Sequence, residues 1–305
     1  IDGWSFANTP KLTTVNLPAT LTSIAYLTNA RYSPFYNTPS LKEINVAKDN
    51  TSYVSFDGVL YSSSWTAYVF PVAKTSLIIP HGVTSLGSYK ASTAVMKSLE
   101  TITYEKDADG NEVKNEKALT LYSSGFSNIT TLKSVELPSR VSGLSTSMFS
   151  GCSNLETFTV AAGGTNFRTE GKVTYKAVDG GWATFFVPQN SGLTEYVVPT
   201  EFTVTTIGQA SFSGVTTLKK VTLSDTVTTI EAQAFKGCTG VSKIFIPASV
   251  TSLKSEAFGE WTTAQTVYVT FASDDERPSG WYEYWAYDGM TVSYGATQES
   301  FDAAE

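Results

Sequence analysis

Between Val204 and Val267 four apolar columns recur every 23 residues without slippage. They are Phe212, Phe235 and Phe258; Val204, Val227 and Val250; Ile207, Ile230 and Leu253; and Val221, Ile244 and Val267. A unit this short cannot bury its own apolar face, so each copy needs a neighbour on either side. The expected fold is therefore a solenoid, a stack of coils around one continuous core.

The full unit reads Leu218, Val221, Thr222, Leu223, Val227, Thr228, Ile230, Ala234, Phe235, Gly237 and Cys238. The same offsets hold upstream for Leu132, Val135, Leu137, Pro138, Val141, Leu144, Phe149, Gly151 and Cys152, and for Leu12, Val15, Leu17, Pro18, Leu21 and Ile24. A longer period of 114 residues is superimposed, since Phe35 and Leu41–Val46 reappear as Phe149 and Leu155–Val160. The segment Phe56–Tyr61 leading to Phe70–Pro71 likewise resembles Glu170–Tyr175 leading to Val187–Pro188, which points to duplication of a block of repeats.

Within each unit, Leu-x-x-Val-x-Leu alternates apolar and polar residues and is rich in β-branched side chains, so it predicts a short strand with one buried face. Stacked copies give a parallel sheet, expected on the concave face, and the proline or hydroxyl residue that follows ends the strand. Val227–Ile230 predicts a second extended piece on the opposite wall, and Ala234–Phe235 a single turn; little helix is expected. Two residues beyond each aromatic ring stand Asn8, Asn37, Asn128, Gly151, Gly214 and Gly237. Asn and Gly are the residues that tolerate positive φ, so a left-handed turn is predicted there rather than a set of binding side chains. Glu260 at the last copy suggests that the regular stack is ending.

The pattern Leu-x-x-Val-x-Leu-Pro-x-x-Val-Thr-x-Ile with Ala-Phe-x-Gly-Cys, together with Asp57–Tyr61 and Phe70–Pro71, resembles the BspA-like class of leucine-rich repeat proteins. The resemblance covers nearly the whole chain, apart from an insertion at 105–117 and a capping region at 270–305. It implies a single leucine-rich repeat domain over 1–305, and a bacterial surface or secreted protein that adheres to host proteins such as those of the extracellular matrix. Fold alone does not establish that function.

Composition narrows the partners. A net charge of −7 argues against a phosphate-binding surface, so nucleic acid is not an expected partner. No apolar run approaches the ~20 residues of a membrane span. Trp4–Asn8 already matches the phenylalanine turn, so residue 1 falls mid-repeat without an initiator Met or signal peptide, and preceding repeats or a cap are expected. Cys152 and Cys238 occupy the same position of different repeats, which at ~4.8 Å per strand places them on the order of 15 to 20 Å apart. That exceeds the ~7 Å reach of a disulfide. Both are expected to be free and buried, as small apolar fillers.

Catalytic machinery is sparse. His81, the one histidine, lies in the turn Pro80-His81-Gly82 and reads as a solvated loop residue. No metalloprotease, zinc, nucleotide or dinucleotide motif occurs, so no cofactor or metal is expected. The acids Asp57, Asp107, Asp109, Glu112, Glu116, Asp274, Asp275 and Glu276 are the candidates for a carboxylate-dependent hydrolase, and none sits in a recognisable motif. Asp107–Glu112 spaces its oxygens as calcium loops do, but its glycine is fourth rather than sixth, and a polar hairpin turning at Asp109–Gly110 is the expected form.

The residues between the apolar strand positions point away from the core and line the sheet's exposed face. Their innermost column reads Asn16, Asn45, Thr103, Glu136, Thr159, Thr222, Phe245 and Tyr268. Thr222, Phe245 and Tyr268, flanked by Lys219, Lys220 and Lys243, form the candidate ligand surface for a protein or a glycan. The alternative is that Phe245 and Tyr268 pack together or under Trp281, Tyr282, Tyr284, Trp285 and Tyr287 to close the stack. A last line, Thr22, Thr84, Ser142, Thr205, Thr228 and Thr251, reads as stacked side-chain hydrogen bonds between neighbouring repeats.

Overall fold

Many of the repeats contribute one short strand to a parallel ladder and a second to a ladder on another wall. The computed structural model describes residues 1–25, 33–86, 97–121, 126–286 and 289–304. These fall into two units, Ile1–Thr165 and Asn166–Glu305.

In the first unit, Ser76–Ile79, Thr101–Tyr104, Ser134–Leu137 and Thr157–Val160 form a parallel sheet in that spatial order. Thr14–Leu17 pairs in parallel with Glu43–Val46, placing Asn16 beside Asn45. A second ladder joins Ser85–Leu86, Leu119–Leu121 and Val141–Gly143.

In the second unit one ladder runs through Lys243–Ile246, Thr266–Val269 and Thr291–Ser293, with Ile244, Val267 and Val292 in register. Glu195–Val197 and Lys220–Thr222 form a parallel pair of their own. The other wall aligns Ile207, Ile230, Leu253 and Trp281. Pairing therefore continues beyond Glu260 to Ser293. The stack does not end at Glu260; only its spacing changes, since Thr266 and Thr291 are partners 25 positions apart.

The segments related by the 114-residue period are antiparallel, a feature the repeat pattern does not announce. Tyr53–Phe56 and Val59–Ser62 form one hairpin, Phe167–Glu170 and Val173–Val178 the other, each extended by a third strand. At the first, Asp57 and Gly58 have φ of 48° and 72°, as a tight hairpin turn with two left-handed residues requires. Helix is scarce among the described residues: one α-helix, α1 (Gln298–Asp302), and 3-10 turns at Thr146–Phe149 and Asp274–Glu276.

The recurring phenylalanines stack ring on ring. Phe212 and Phe235 have centroids 5.3 Å apart and Phe235 and Phe258 6.0 Å, all three fully buried. In the first unit Phe6 lies on Phe35 at 5.4 Å and Phe126 on Phe149 at 5.8 Å. Their turns are left-handed where Asn and Gly predict it: φ is 57° at Asn8, 54° at Asn37, 59° at Asn128, 77° at Gly151, 75° at Gly214 and 70° at Gly237. Glu260 adopts the same conformation, at 68°. The Asn37 amide also donates to Asn8 Oδ1 at 2.9 Å, which occupies these side chains in the scaffold.

Two residues before the ring a second left-handed position occurs, at Trp4, Ala210, Gln233 and Glu256. No residue preference marks it, and such a backbone costs about 1–2 kcal/mol per residue. Inter-coil bonds offset the cost: the Gln233, Phe235 and Gly237 N–H groups donate to Ser255, Ala257 and Gly259 carbonyls. Gln233 Nε2 and Lys236 Nζ both donate to Glu256 Oε2, and the Lys236 hydrogen bond is the main reason the Glu256 carboxyl is held below its ordinary pKa.

The position three beyond the ring does more than fill space. Cys238 Sγ donates to Phe212 O at 3.0 Å and Cys152 Sγ to Phe126 O at 3.1 Å. One repeat later Trp261 stands in that place, its indole N–H donating to Phe235 O at 2.9 Å. Both cysteines are free and buried, so the column supplies a donor to a carbonyl of the preceding coil. Burial pushes the Cys238 thiol up to about 12 and raises Cys152 as well. The thiols' contribution to stability is thus complete below about pH 9, the unfolded value, and is lost as pH rises towards the folded one. Stability to urea should fall between pH 9 and 10, ahead of most of the loss that Tyr175, raised to about 12, and Tyr196, raised as well, add above pH 10. A Cys152→Ser/Cys238→Ser chain should lose markedly less stability across that interval; an unchanged slope would show that other groups dominate there.

The threonine line is bonded differently from the side-chain ladder expected. Thr228 Oγ1 donates to the Thr205 carbonyl at 3.3 Å and Ser142 Oγ to the Leu119 carbonyl at 3.4 Å. The partners are main-chain atoms of the preceding repeat.

Candidate functional site

The sheet face of the second unit follows from strand alternation. Along Lys243–Ile246, Ile244 and Ile246 are buried while Lys243 and Phe245 face outward, and along Thr266–Val269 the outward residues are Thr266 and Tyr268. Register sets Phe245 beside Tyr268 and Tyr268 beside Ser293. In the adjoining pair, exposed Thr222 lies beside Val197, itself 53% exposed. Lys219 and Lys220 are exposed, and Lys220 Nζ meets Glu195 at 3.0 Å, a surface pair of little energetic weight.

Phe245 and Tyr268 are only half-buried, and what covers them is Phe301. Its ring lies 5.9 Å from Phe245 and 5.2 Å from Tyr268, edge-on to the latter. Lys243 completes the contact: Nζ donates to the carbonyls of Phe301 at 2.8 Å and Ala304 at 3.1 Å, and sits 4.5 Å from the Phe301 ring centroid. An ammonium at the carbonyl end of a helix meets both the orphan acceptors and the negative end of the dipole. At the other end of α1, Thr297 Oγ1 accepts from the Ser300 N–H while Ser300 Oγ accepts from the Thr297 N–H, a capping box. Of the six candidate residues, the structure brings Lys243, Phe245 and Tyr268 together around Phe301 and leaves Lys219, Lys220 and Thr222 exposed beside them.

A family model described as BspA type leucine rich repeat region, in six copies, matches residues 1–108, 63–171 and 186–273. The chain belongs to the BspA-type leucine-rich repeat family. Two solved structures are similar to this BspA-type chain. One is a leucine rich cell surface protein from Faecalibacterium prausnitzii, with a TM-score of 0.51 and 18% identity over 96% of this chain and 81% of the other. The second is the pneumococcal vaccine antigen PcpA, with a TM-score of 0.53 and 14% identity over 96% of this chain and 72% of the other. At such identities the likeness is one of fold. No curated protein matches the sequence at a significant level.

The other aromatics of this BspA-type chain divide in two. Trp281 and Trp285 are buried, 4.9 Å apart and packed edge-on to Phe271, with indole N–H groups donating to Val250 O and Asp274 Oδ1. Trp281 continues the second-wall column of Ile207, Ile230 and Leu253, and both indoles belong to the apolar core of the second unit. Tyr282 and Tyr284 are exposed, at 43% and 65%, but their rings meet at 71°, so one flat sugar face cannot lie on both. Tyr287 lies outside the described residues.

Most of the acids proposed for hydrolysis have structural partners. Asp57 pairs with Lys74 at 2.9 Å, Asp274 with Arg277 at 2.6 Å, and Glu276 accepts from the Ala272 N–H. Asp107 Oδ1 accepts from the Asp109 and Asn111 N–H groups at 2.9 Å each, closing a turn in which Lys106 bridges antiparallel to Glu112 and Gly110 has φ of 82°. The buried Glu112 carboxylate accepts from the Ser139 N–H and Lys114. Asp109, Glu116 and Asp275 are exposed. His81 is held rather than freely solvated: Glu105 Oε2 meets both its Nδ1, at 2.6 Å, and its N–H, at 2.8 Å, and its ring tilts against Trp65.

In the first unit the outward column is closed by its own bonds. Asn45 donates to Asn16 at 3.2 Å, and Glu136 accepts from Thr103 at 2.8 Å and from Lys106 of the inserted hairpin at 2.9 Å. Among the described residues no helix is long and apolar enough to cross a membrane.

Proposed function

We propose that this BspA-type repeat protein is a non-enzymatic scaffold at the cell surface or outside the cell, which binds protein through the outward strand face of its second unit. One observation carries the reading: that face already accommodates a peptide, holding the Phe301 ring on Phe245 and Tyr268 and the adjoining carbonyls on Lys243. A face that satisfies backbone carbonyls with an ammonium and an aromatic side chain with two rings has the chemistry of peptide recognition. The exposed Lys219, Lys220 and Thr222 enlarge it for a partner bigger than a single turn of chain. Similar folds described as a cell surface protein and as a vaccine antigen support the location, and host extracellular-matrix proteins are the partner class proposed.

Binding of the full chain to immobilised matrix proteins and to a glycan array tests this. Saturable binding to protein is expected, with Lys219→Glu/Lys220→Glu weakening it about tenfold or more, chiefly through association rate and more strongly at low salt. Indifference to both changes would move the site elsewhere. Glycan binding abolished by Tyr282→Ala/Tyr284→Ala would replace the proposal with a carbohydrate-binding one.

A further inference from the structure

We propose that the surface formed by Lys243, Phe245 and Tyr268 is a binding site for short acidic peptide segments carrying an aromatic residue, and that residues 297–304 are its built-in, displaceable occupant. The proposal deepens the protein-binding reading above and rests on it.

Helix α1 has five residues, far below the length of about 12–15 at which isolated helices are even marginal in water. Its capping box satisfies the entry end only. The helix owes its order to docking, and the docking is narrow: one ring between two rings and one ammonium on two carbonyls. Neither Phe301 nor the rings beneath it belong to the apolar core, which is complete beneath the sheet with Ile244, Ile246, Val267 and Val269 buried. Trp281 and Trp285 belong to that core, and both indole N–H groups are bonded outside the helix, to Val250 O and Asp274 Oδ1.

Contacts of this kind can be reproduced by a segment from another molecule. The occupant also indicates what such a segment should look like: Glu299 and Asp302 flank Phe301 in α1, while the face presents Lys219, Lys220 and Lys243. Tethered only a few residues from Ser293, the segment acts at an effective concentration on the order of millimolar, enough to exclude weak competitors and yield to better ones.

The test uses the full chain and a fluorescein-labelled peptide with the sequence of residues 296–304, followed by fluorescence polarisation. Binding to the unaltered chain should be weak and binding to Phe301→Ala at least tenfold tighter, because the internal competitor is gone. A second change, Phe245→Ala, should abolish it, as should replacing the peptide's own phenylalanine by alanine. Amide exchange read in parallel should show Ser300–Ala303 losing protection in Phe301→Ala while the thermal midpoint stays within about 2 °C. Equal binding to both chains, no binding to an unprotected Phe301→Ala face, or a helix still protected in that variant would each overturn the proposal. If the peptide binds but no matrix protein does, the site stands and the proposed partner class falls. If matrix proteins bind equally with and without Phe301→Ala, the function stands and the masking falls.

Discussion

Phe235→Ala is expected to lower the stability of the second unit by about 3–5 kcal/mol, the range for removing a large buried aromatic. Its ring is fully buried between Phe212 at 5.3 Å and Phe258 at 6.0 Å, so truncation opens a void shared by two inter-repeat contacts. Stability in such stacks is a sum of nearest-neighbour terms, and this change weakens two of them. The coils on either side cannot simply close over the gap, because the Phe235 N–H bond to Ala257 O and the Trp261 indole bond to Phe235 O fix their spacing. Urea unfolding followed by far-UV circular dichroism measures the loss. A change below about 1 kcal/mol would mean that the coils collapse onto the void and that the spacing is softer than these bonds imply.

Gly208→Ala should be comparably damaging for a different reason. A Cβ at this glycine would stand 1.9 Å from the Thr184 carbonyl oxygen, a main-chain atom with no side-chain freedom to retreat. The Gly208 N–H also donates to Thr184 Oγ1 at 2.8 Å, and that hydroxyl is itself bonded to Ser211 Oγ at 2.7 Å in the buried interior. Moving the coil outward to relieve the clash breaks this buried pair. We expect a loss of roughly 3 kcal/mol, at the upper end for overpacking, or a fall of about 6–12 °C in thermal midpoint for a unit of this size. A midpoint unchanged within error would show that the two coils separate freely at Gly208.

Much of this architecture is legible in the 23-residue period. A strict repeat reports which residues face the core, because every copy must present the same face to its neighbours. The phenylalanine stack, the outward column and the six left-handed Asn and Gly turns follow from that. The second left-handed position does not, since Trp4, Ala210, Gln233 and Glu256 share no preference; inter-coil hydrogen bonds impose the conformation. Glu260 misleads for the same reason: its side chain argues against positive φ, and the turn forms regardless. The Asp57–Gly58 dipeptide is a hairpin signal in plain view, which lies outside the 23-residue unit and so goes unread in the repeat pattern.

The candidate face divides along the same line. Strand alternation by itself puts Lys243, Phe245 and Tyr268 on one surface, since successive side chains of a strand point to opposite sides. What lies on that surface is decided only in three dimensions. Phe301 belongs to no repeat, and Lys243 reaches its carbonyl across 58 residues of chain. Periodicity encodes contacts between equivalent positions of adjacent copies, so it specifies the stack and its exposed columns. A segment outside the period docks wherever charge, shape and aromatic rings happen to match, and only tertiary structure determines that place.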